Sequence, residues 1–583
     1  MDYKTFTKSQ YSLLQNVLIL LGASCLISLI PIFIFGITVG HDPGYYYISY
    51  ESFKHHVNGG EIYPRWLSDI NAGYGGANFY FYQPFLFYLL YVLDALTLFT
   101  LSTNHILTLG ITTCLFLSGL TFFIFAQKYT SPKPAVVLAL IYMVIPYHLW
   151  WDLYERKALT EFAAYIWIPL IFYSIDKDMF KKPKNITCYG LAYAALIMTH
   201  LPSALITSFA ILFYGLFQSI KQRTIPAVLL FNIRLGFLSL LGIGVAAIYL
   251  YPALTLLEHV NYAYLWTDFY DYKNHFLMPA GTYDGHSIYN GEISGMPGYL
   301  FTLATSQIVL CGLVFYTFYK KTDLQTNKDF MLFFGLALAC FLMMNPISNI
   351  IWEGFPLLQR IQFTWRLMIM MDFITLALLC SVFSEKLQEN PISKLVIVIT
   401  AFILIFTSLI SVVFISTLKG LPPQDAIDFR YAVKRLTEEH IPTNNGKGVA
   451  LNDVFRNKPP EFLIVTSGQA KTSYEPYAAR HFKIQVNART PATIQVRQFM
   501  FPAWHLVKIE NGKNSHIQLS AIEPHGLITF NIPAGKHSLE LRLSYFKEEY
   551  HGFMISVFCL CALLLFGYSH KNTLNTQRSF KTN

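Results

Sequence analysis

The chain of 583 residues is 54% hydrophobic and 16% aromatic, and only 13% of its residues are charged, about half the share usual in soluble domains. Apolar stretches near 20 residues recur along most of the chain, which excludes a soluble globular protein, a disordered chain and a small disulfide scaffold. The net charge is +9, and the basic residues lie in short clusters between apolar stretches. This pattern is typical of the cytoplasmic loops of membrane proteins and does not indicate nucleic-acid binding.

The first apolar stretch, about residues 13–38, is too long for a signal peptide and lacks a small-residue cleavage site, so we expect a first membrane helix there. The stretches together predict a polytopic α-helical membrane protein with about 12 transmembrane helices. The predicted spans are 14–38, 105–126, 134–150, 158–175, 186–201, 204–220, 225–250, 299–318, 331–345, 365–383, 394–417 and 552–568.

A further apolar stretch, Pro84 to Phe99, is predicted to lie flat in the outer interface. Its helix would be about 24 Å long, shorter than the hydrocarbon core of about 30 Å, and it contains Asp94. If it crossed, the lysine cluster at 177–184 would be exported, against the positive-inside rule. We therefore expect both termini to be cytoplasmic and two long loops, residues 39–104 and 251–298, to face outwards.

Residues 418–551 change in character, because hydrophobic and polar residues alternate there in several short segments. This pattern predicts an extracytoplasmic, β-sandwich-like domain between a transmembrane domain (residues 1–417) and a final helix (552–568), which a cytoplasmic tail (569–583) follows. The segments are Phe482–Ala488, Thr493–Gln498, His505–Ile509, Ile517–Leu519, Leu527–Ile532 and Ser538–Leu543. All eight cysteines fall in or beside apolar stretches, so no zinc site or disulfide framework is indicated.

Asp42 is the first candidate for chemistry, since it directly follows the first apolar stretch in the sequence His41-Asp42-Pro43. A carboxylate fixed at a helix end beside the membrane could act as a general base on a substrate presented there. The alternative is a solvated helix cap or loop acid.

A second charged group comprises Asp152, Glu155, Arg156 and Glu161. Glu161 is expected about one turn inside an apolar helix, where an ionisable side chain is costly and usually faces a polar cavity or a partner. Arg156 is its nearest partner in sequence. A purely structural pair and a substrate-facing role are both compatible with this spacing.

Four more polar residues are expected on the same outer side: His200, Glu258, Arg360 and Arg366. An arginine suits a phosphate, because its guanidinium keeps its charge and offers forked donors. The same arginines could instead anchor the protein at lipid head groups, and His200 could be a structural histidine. No nucleotide-binding, serine-hydrolase or zinc-peptidase motif occurs.

Several short motifs occur in an order that resembles the YfhO-like integral membrane proteins of bacteria, including those labelled 6-pyruvoyl-tetrahydropterin synthase-related. The resemblance covers most of the chain. Its motifs are Gly40-His41-Asp42, Tyr63-Pro64-Arg65-Trp66, Asn71-Ala72-Gly73-Tyr74-Gly75, Phe81-Tyr82-Gln83-Pro84-Phe85, Pro146-Tyr147, Arg156 to Glu161, His200-Leu201-Pro202, Trp365-Arg366, Phe501-Pro502-Ala503-Trp504 and Pro533 to His537.

Such proteins are similar to the GT-C glycosyltransferase superfamily, in which a carboxylate of the first outer loop is the usual base and a polyprenyl-phosphate sugar the usual donor. The resemblance implies transfer of a sugar to a cell-envelope glycan or lipid acceptor at the outer face of the bacterial inner membrane, with Asp42 as base. Asp152 and Glu155 lie where many relatives place a second outer acid, but they do not form an Asp-x-Asp pair, so a divalent metal is possible but not indicated; Ala503 also replaces a typical glycine. No cluster of zinc-binding histidines supports the pterin-related label.

The hypothesis of sugar transfer gives the other residues roles at the same site. Stabilisation of the leaving phosphate would come from Arg156, Arg360 and Arg366, whereas Asp152, Glu155 and Glu161 would position the acceptor or hold these arginines. We expect the further substrate-binding residues to be His41, His200 and Glu258.

Two other functions are compatible with the sequence. The first is a transporter or flippase-like accessory for lipid-linked glycans, which would place ionisable groups throughout the membrane depth; only Asp94, Glu161 and Asp372 are candidates. The second is a scaffold that binds envelope polymer through the β-domain without turnover.

Overall fold

A computed structural model describes most of the chain and leaves some loops and one predicted span outside. His41, the predicted span 394–417 and half of the outer loop 251–298 lie outside the described residues, as does the first part of the predicted β-domain. The described residues are 8–37, 42–222, 224–262, 270–278, 296–319, 328–382, 442, 461–478, 480–510, 513–522 and 526–579.

Helices form most of the described chain, as its long apolar stretches predict. The α-helices, numbered in chain order, are α1 (Lys8–Ser28), α2 (Ile30–Phe35), α3 (Pro43–Asn58), α4 (Ile70–Gly73), α5 (Asn78–Phe81), α6 (Phe85–Leu96), α7 (Thr103–Ala126), α8 (Pro132–Val144), α9 (Leu159–Ala164), α10 (Trp167–Ser174), α11 (Pro183–Thr199), α12 (Leu201–Ile220), α13 (Ile225–Val245), α14 (Ala247–Thr255), α15 (Met296–Tyr319), α16 (Lys328–Met343), α17 (Asn349–Gly354), α18 (Pro356–Gln359), α19 (Met368–Val382) and α20 (Lys547–Ser579). A π-helix, Tyr147–Arg156, follows α8.

Each predicted span on described residues coincides with one helix or a pair of helices. Within this described part of the chain, seven helices are long and apolar enough to cross a membrane. The number rises to eight if α16 and the helix bent by 90° after it count as one span. The span predicted at 158–175 is divided between α9 and α10. Length and composition thus support a multi-pass membrane protein, and the count of 12 stays a prediction.

Helix α19 lies at the centre of the helical domain. Its span, Thr364–Ser381, is entirely buried, and it packs against α8, α15 and α16. A helix that is hydrophobic all round is stable only when protein or lipid surrounds it, and here protein does.

Helix α6, the stretch predicted to lie in the interface, has 12 residues and is therefore about 18 Å long, too short to cross the hydrocarbon core. It packs against α3 and α7. Its Asp94 is buried and accepts a hydrogen bond from Tyr50 (2.8 Å), and Lys54 lies 3.4 Å from the same oxygen. The Asp94 carboxylate therefore links α6 to α3.

The C-terminal part contains the predicted β-domain, built from two antiparallel sheets of order β1-β4-β8-β7 and β2-β3-β9-β5-β6. Five predicted segments coincide with β3, β4, β5, β8 and β9, whereas Ile517–Leu519 falls across the end of β6, and β1, β2 and β7 were not predicted. The strands are β1 (Leu463–Ser467), β2 (Ala470–Ala478), β3 (His481–Ala488), β4 (Ala492–Phe499), β5 (Trp504–Glu510), β6 (Lys513–Ile517), β7 (Ser520–Ile522), β8 (Leu527–Ile532) and β9 (Gly535–Leu543).

The two sheets share one apolar core, because alternate residues of each strand point to the same side. Ile484 of β3, Ile494 of β4 and Leu541 of β9 are all fully buried there. The alternation that predicted the strands is thus the pattern that fills this core.

The first loop, between α2 and α7, packs against the β-domain. Gln498 of β4 donates hydrogen bonds to the carbonyls of Ser68 and Gly73 (both 2.8 Å) and accepts one from the Trp66 indole (3.1 Å). Gly75 has a φ of 75°, and a Cβ there would lie 2.7 Å from the Trp66 ring. Glycine is required at this contact by both conformation and space.

Four buried charged side chains join the first loop, the β-domain and the last helix. Arg480 pairs with Glu61 of the loop (2.7 Å), and Arg65 of the loop pairs with Glu549 of α20 (2.9 Å). Arg480 also lies 3.9 Å from Glu549, which accepts a hydrogen bond from Tyr80 (2.7 Å). We call Glu61, Arg65, Arg480 and Glu549 the clamp, since they tie three distant parts of the chain together.

Candidate functional site

The site begins with the irregular backbone after α8. Pro146 has no amide hydrogen, and α8 ends two residues before it. The π-helix Tyr147–Arg156 follows and ends at Lys157, whose φ of 58° is left-handed. The chain turns there into α9, which brings residues on the two sides of Lys157 together. Rare helix types and left-handed non-glycine residues occur frequently at functional sites.

Arg156 forms ion pairs with a carboxylate on each side of this turn. Its Nη1 lies 3.1 Å from Asp152 Oδ1 and 2.8 Å from Glu161 Oε2. Both carboxylates are fully buried and Arg156 is nearly so. The predicted pairing of Arg156 with Glu161 is therefore present in the structure, and Asp152 shares it.

Glu161 is held on both of its oxygens. The Tyr147 hydroxyl donates a hydrogen bond to Oε1 (2.8 Å), while Arg156 donates to Oε2. Arg366 Nε lies 3.5 Å from the same Oε2. Glu161 thus connects the π-helix with the segment that leads into α19.

Arg366 lies in the 3-10 turn Thr364–Leu367, directly before α19. Its Nη1 donates hydrogen bonds to the Ile361 carbonyl (2.8 Å) and to Gln362 Oε1 (3.0 Å). Gln362 has a left-handed φ of 66°. The guanidinium is therefore fixed by local backbone geometry as well as by Glu161.

We call Asp152, Arg156, Glu161 and Arg366 the charge cluster. Its two carboxylates balance its two guanidinium groups, so its formal charge is zero. Removing one member of a buried ion network costs about 3–5 kcal/mol, because the remaining charge stays buried without compensation. The neutrality of the charge cluster thus permits its burial among apolar helices.

Asp42 lies at the edge of the charge cluster. Its amide donates a hydrogen bond to the Arg156 carbonyl (3.2 Å). It occupies the N-cap position of the described helix α3, but its side chain makes no capping hydrogen bond there. The capping role that the sequence left open is therefore not the role of this carboxylate.

Tyr46, one turn after Asp42, links α3 to α9. Its hydroxyl lies 3.3 Å from Thr160 Oγ1 and 2.9 Å from the Tyr82 hydroxyl, and it accepts a hydrogen bond from the Thr160 amide (3.2 Å). Burial, together with the negative charge of Asp42, raises the pKa of Tyr46 to about 12. The hydroxyl therefore keeps its proton near neutral pH and acts as a neutral donor and acceptor.

Aromatic rings border the charge cluster. Trp365 stacks on Phe363 with ring centroids 4.8 Å apart and lies 6.1 Å from Trp151, while the Arg366 guanidinium lies 4.5 Å from the Phe363 ring centroid. Within the described part of the chain, the indole N–H groups of Trp151 and Trp365 are buried without a hydrogen-bond partner. Buried donors of this kind are available to a bound ligand.

The other predicted residues divide into near and distant ones. Glu155 is buried on the same π-helix, and His200 is buried, bonded to Ser203 (2.7 Å) and within electrostatic reach of Glu161. Glu258 is 80% exposed beside His259, which packs on aromatic residues next to the β-domain. Arg360 is exposed, in contrast to Arg366. His41 lies outside the described residues.

Tyr46, Tyr147 and Gln362 are among the residues of the site that were not assigned from the sequence. A signal existed for Tyr46, since residues four apart share a helix face and Asp42 precedes it by four. Tyr147 meets Glu161 only because a π-helix and a left-handed residue separate them. No sequence rule indicates that geometry.

The described residues contain no group of three or more histidine, cysteine, aspartate or glutamate side chains arranged to hold a metal ion. In the charge cluster the carboxylates form ion pairs with arginine, which neutralises their charge as a metal cation would. A divalent metal, possible from the sequence, gains no ligand set from these side chains.

No protein-family model matches the chain, and no curated protein matches it. The resemblance to YfhO-like and GT-C proteins therefore stays a prediction, and the proposed function depends on the residues of the site.

Proposed function

We propose that the protein is a membrane glycosyltransferase that moves a sugar from a polyprenyl-phosphate donor to a cell-envelope glycan or lipid acceptor at the outer face of a bacterial inner membrane. The observation that carries the proposal is the hydrogen bond between the Asp42 amide and the Arg156 carbonyl, 3.2 Å long. This contact between residues 42 and 156 supports a position of the proposed base beside the charge cluster. Catalysis by positioning requires the base and the phosphate-binding arginines to belong to one site.

In the proposed reaction, Asp42 accepts the proton of an acceptor hydroxyl while that oxygen attacks the anomeric carbon of the donor. The bond from the anomeric carbon to the phosphate oxygen breaks, and polyprenyl phosphate leaves with the electron pair. Inversion at the anomeric carbon is expected, as for a single displacement.

Arg366 is our candidate for stabilising the leaving phosphate. Its Nε is 3.5 Å from Glu161 but makes no hydrogen bond among the described residues, so this N–H can be donated to a phosphate oxygen. A donor fixed before the reaction stabilises developing charge without reorganisation. The indoles of Trp151 and Trp365 are candidates for binding the sugar.

We favour sugar transfer over transport because each ionisable group considered for transport already has described partners. Asp94 is paired with Lys54, and Glu161 belongs to the charge cluster. Asp372 accepts hydrogen bonds from Tyr165 (2.8 Å) and Gln307 (2.7 Å). These partners explain the charges in the apolar helices without a transport path.

The test is donor turnover by the purified full-length protein in nanodiscs. A panel of short-chain polyprenyl-phosphate hexoses serves as donor, inner-membrane glycolipids serve as acceptors, and released polyprenyl phosphate is measured by chromatography. We expect Asp42→Asn to lower turnover at least about 100-fold, typical for loss of a general base. The matched control is Glu51→Gln, a half-exposed carboxylate on the same helix paired only loosely with Lys54 at 3.6 Å.

The proposal fails if Asp42→Asn releases polyprenyl phosphate as fast as the wild type. It also fails if the wild type turns over none of the donors in the panel. Retention of circular dichroism and of the unfolding midpoint by Asp42→Asn separates lost chemistry from lost fold.

A further inference from the structure

The chain between α16 and the charge cluster forms a bend that the proposed reaction does not use. It comprises the 3-10 turn Pro346–Ser348, helices α17 and α18, and Arg360. The helix that begins at Pro346 is bent by 90° from α16. We call residues 346–360 the elbow.

Two side chains of the elbow fix this right angle. Ser348 Oγ donates to the Met343 carbonyl (3.1 Å) and to the Asn345 carbonyl (2.8 Å), and the Trp352 indole donates to the Met343 carbonyl (3.0 Å). Both side chains thus bond to the Met343 carbonyl, at the end of α16, which has no partner within the helix. Trp352 is fully buried and stacks on Tyr272 with centroids 5.3 Å apart. The elbow is thus a built feature and not a loose loop.

Helix α17 and the turn before it have three distinct faces. Ser348 and Trp352 face the protein, as their contacts show. Asn349 and Glu353 form a polar face, where Glu353 pairs with Lys273 (2.9 Å). The third face is apolar and exposed: Ile347 (76%), Ile350 (78%) and Ile351 (44%). Phe355 and Leu357 extend it, being 61% and 59% exposed.

The apolar face continues onto α16, where Leu338 and Leu342 are also exposed. By length and composition, α16 could cross a membrane only together with the bent helix, because its own 16 residues extend about 24 Å. Its exposed leucines would contact lipid where α16 enters the bilayer, and a helix at right angles to it then lies along the membrane surface. Such helices bury their apolar face at the boundary between acyl chains and head groups.

We propose that the elbow is a membrane-interface anchor whose partner is the head-group layer of the bilayer. The apolar face of the elbow contacts the upper part of the acyl chains through Ile347, Ile350 and Ile351. The exposed Arg360 lies at the level of the lipid phosphates. The anchor fixes the depth of the segment that carries Arg366. It does not depend on sugar transfer, and it gives Arg360 a role separate from that of Arg366.

The test measures the depth of three positions in nanodiscs by fluorescence quenching. A bimane label is placed on Arg360→Cys, Ile350→Cys or Leu338→Cys, each in a chain whose Cys188, Cys559 and Cys561 are replaced by serine. The lipids carry a spin label on the head group, at carbon 5 or at carbon 12 of the acyl chain.

We expect the strongest quenching from the head-group label at position 360, from the carbon-5 label at 350 and from the carbon-12 label at 338, each at least about twofold above the other two labels. Ser473→Cys, exposed on β2 of the β-domain, is the control and should be quenched by none.

The proposal is overturned if position 350 behaves like position 473, since the elbow would then face water. It is also overturned if position 350 is as deep as position 338. Because no donor sugar is used, the result is independent of whether the protein transfers sugar.

Discussion

The charge cluster and the clamp have the same composition, two carboxylates and two arginines, and both are buried. They differ in origin. Three members of the charge cluster lie between residues 152 and 161, whereas the clamp joins residues 61, 65, 480 and 549. The charge cluster also has left-handed residues at Lys157 and Gln362 beside it. Equal chemistry can thus serve a strained candidate site in one place and long-range assembly in another.

Among the variants that test this difference, Glu161→Ala should have the largest effect on stability and turnover. It would leave Arg156 and Arg366 buried without their shared carboxylate, so we expect a loss of about 3–5 kcal/mol of stability together with donor turnover. The measurements are the thermal unfolding midpoint in detergent and released polyprenyl phosphate. Glu353→Ala, at an exposed ion pair, is the control and should change little. An unchanged midpoint for Glu161→Ala would contradict the assignment.

A double-mutant cycle on the clamp should give a smaller effect on stability and none on turnover. Arg480→Met leaves Glu61 buried without its partner, and Glu61→Leu does the reverse, so each should lower stability at pH 8 by about 3 kcal/mol. The double variant should lose less than the sum, by about 1–3 kcal/mol. Turnover per folded molecule should stay at the wild-type level. Lost turnover in a folded clamp variant would erase the distinction between the two clusters.

The pH dependence of the clamp should give the most gradual effect, because it is spread over the range between the two pKa values of Glu61. Burial raises the pKa of Glu61 from 4.5 to about 7, although Arg480 acts in the opposite direction. A carboxyl group whose pKa is higher in the folded protein binds its proton more tightly there. Its contribution to stability is therefore full below pH 4.5 and is lost as the pH rises to about 7.

The measurement is stability from pH 4.5 to pH 7 for the wild type and for Glu61→Gln, which cannot titrate. The wild type should lose stability relative to the variant as the pH rises, by at most about 1.4 kcal/mol per pH unit. A gain over the same range would mean that the ionised pair with Arg480 outweighs the cost of burial.

The sequence predicts the charge cluster in part and the clamp not at all. Asp152 and Arg156 are four residues apart and Glu161 follows closely, so helical spacing brings them near one another. Arg366 joins them only through the packing of α19. In the clamp, Glu549 is a carboxylate at the start of a helix, and nothing near it in the sequence indicates a partner at residue 65.

The helices and strands follow the same rule. Hydrophobic stretches and alternation located α7, α13 and β3 because the signal lies within each segment. The 90° bend after α16 was missed, since it depends on the side chains of Ser348 and Trp352 reaching back to the Met343 carbonyl. Such a break depends on contacts between side chains and backbone, which the length of an apolar stretch does not indicate.

The clamp has a consequence for biogenesis. During synthesis Arg65 leaves the ribosome hundreds of residues before Glu549, so the nascent first loop waits for its counter-charge until the final helix has been inserted. A chain truncated before α20 would lack Glu549. Arg65 would then lose its ion pair, and Arg480 of the β-domain would lose its contact with the last helix. The last helix thus completes the clamp, and we expect a chain that lacks it to be more susceptible to quality-control proteases.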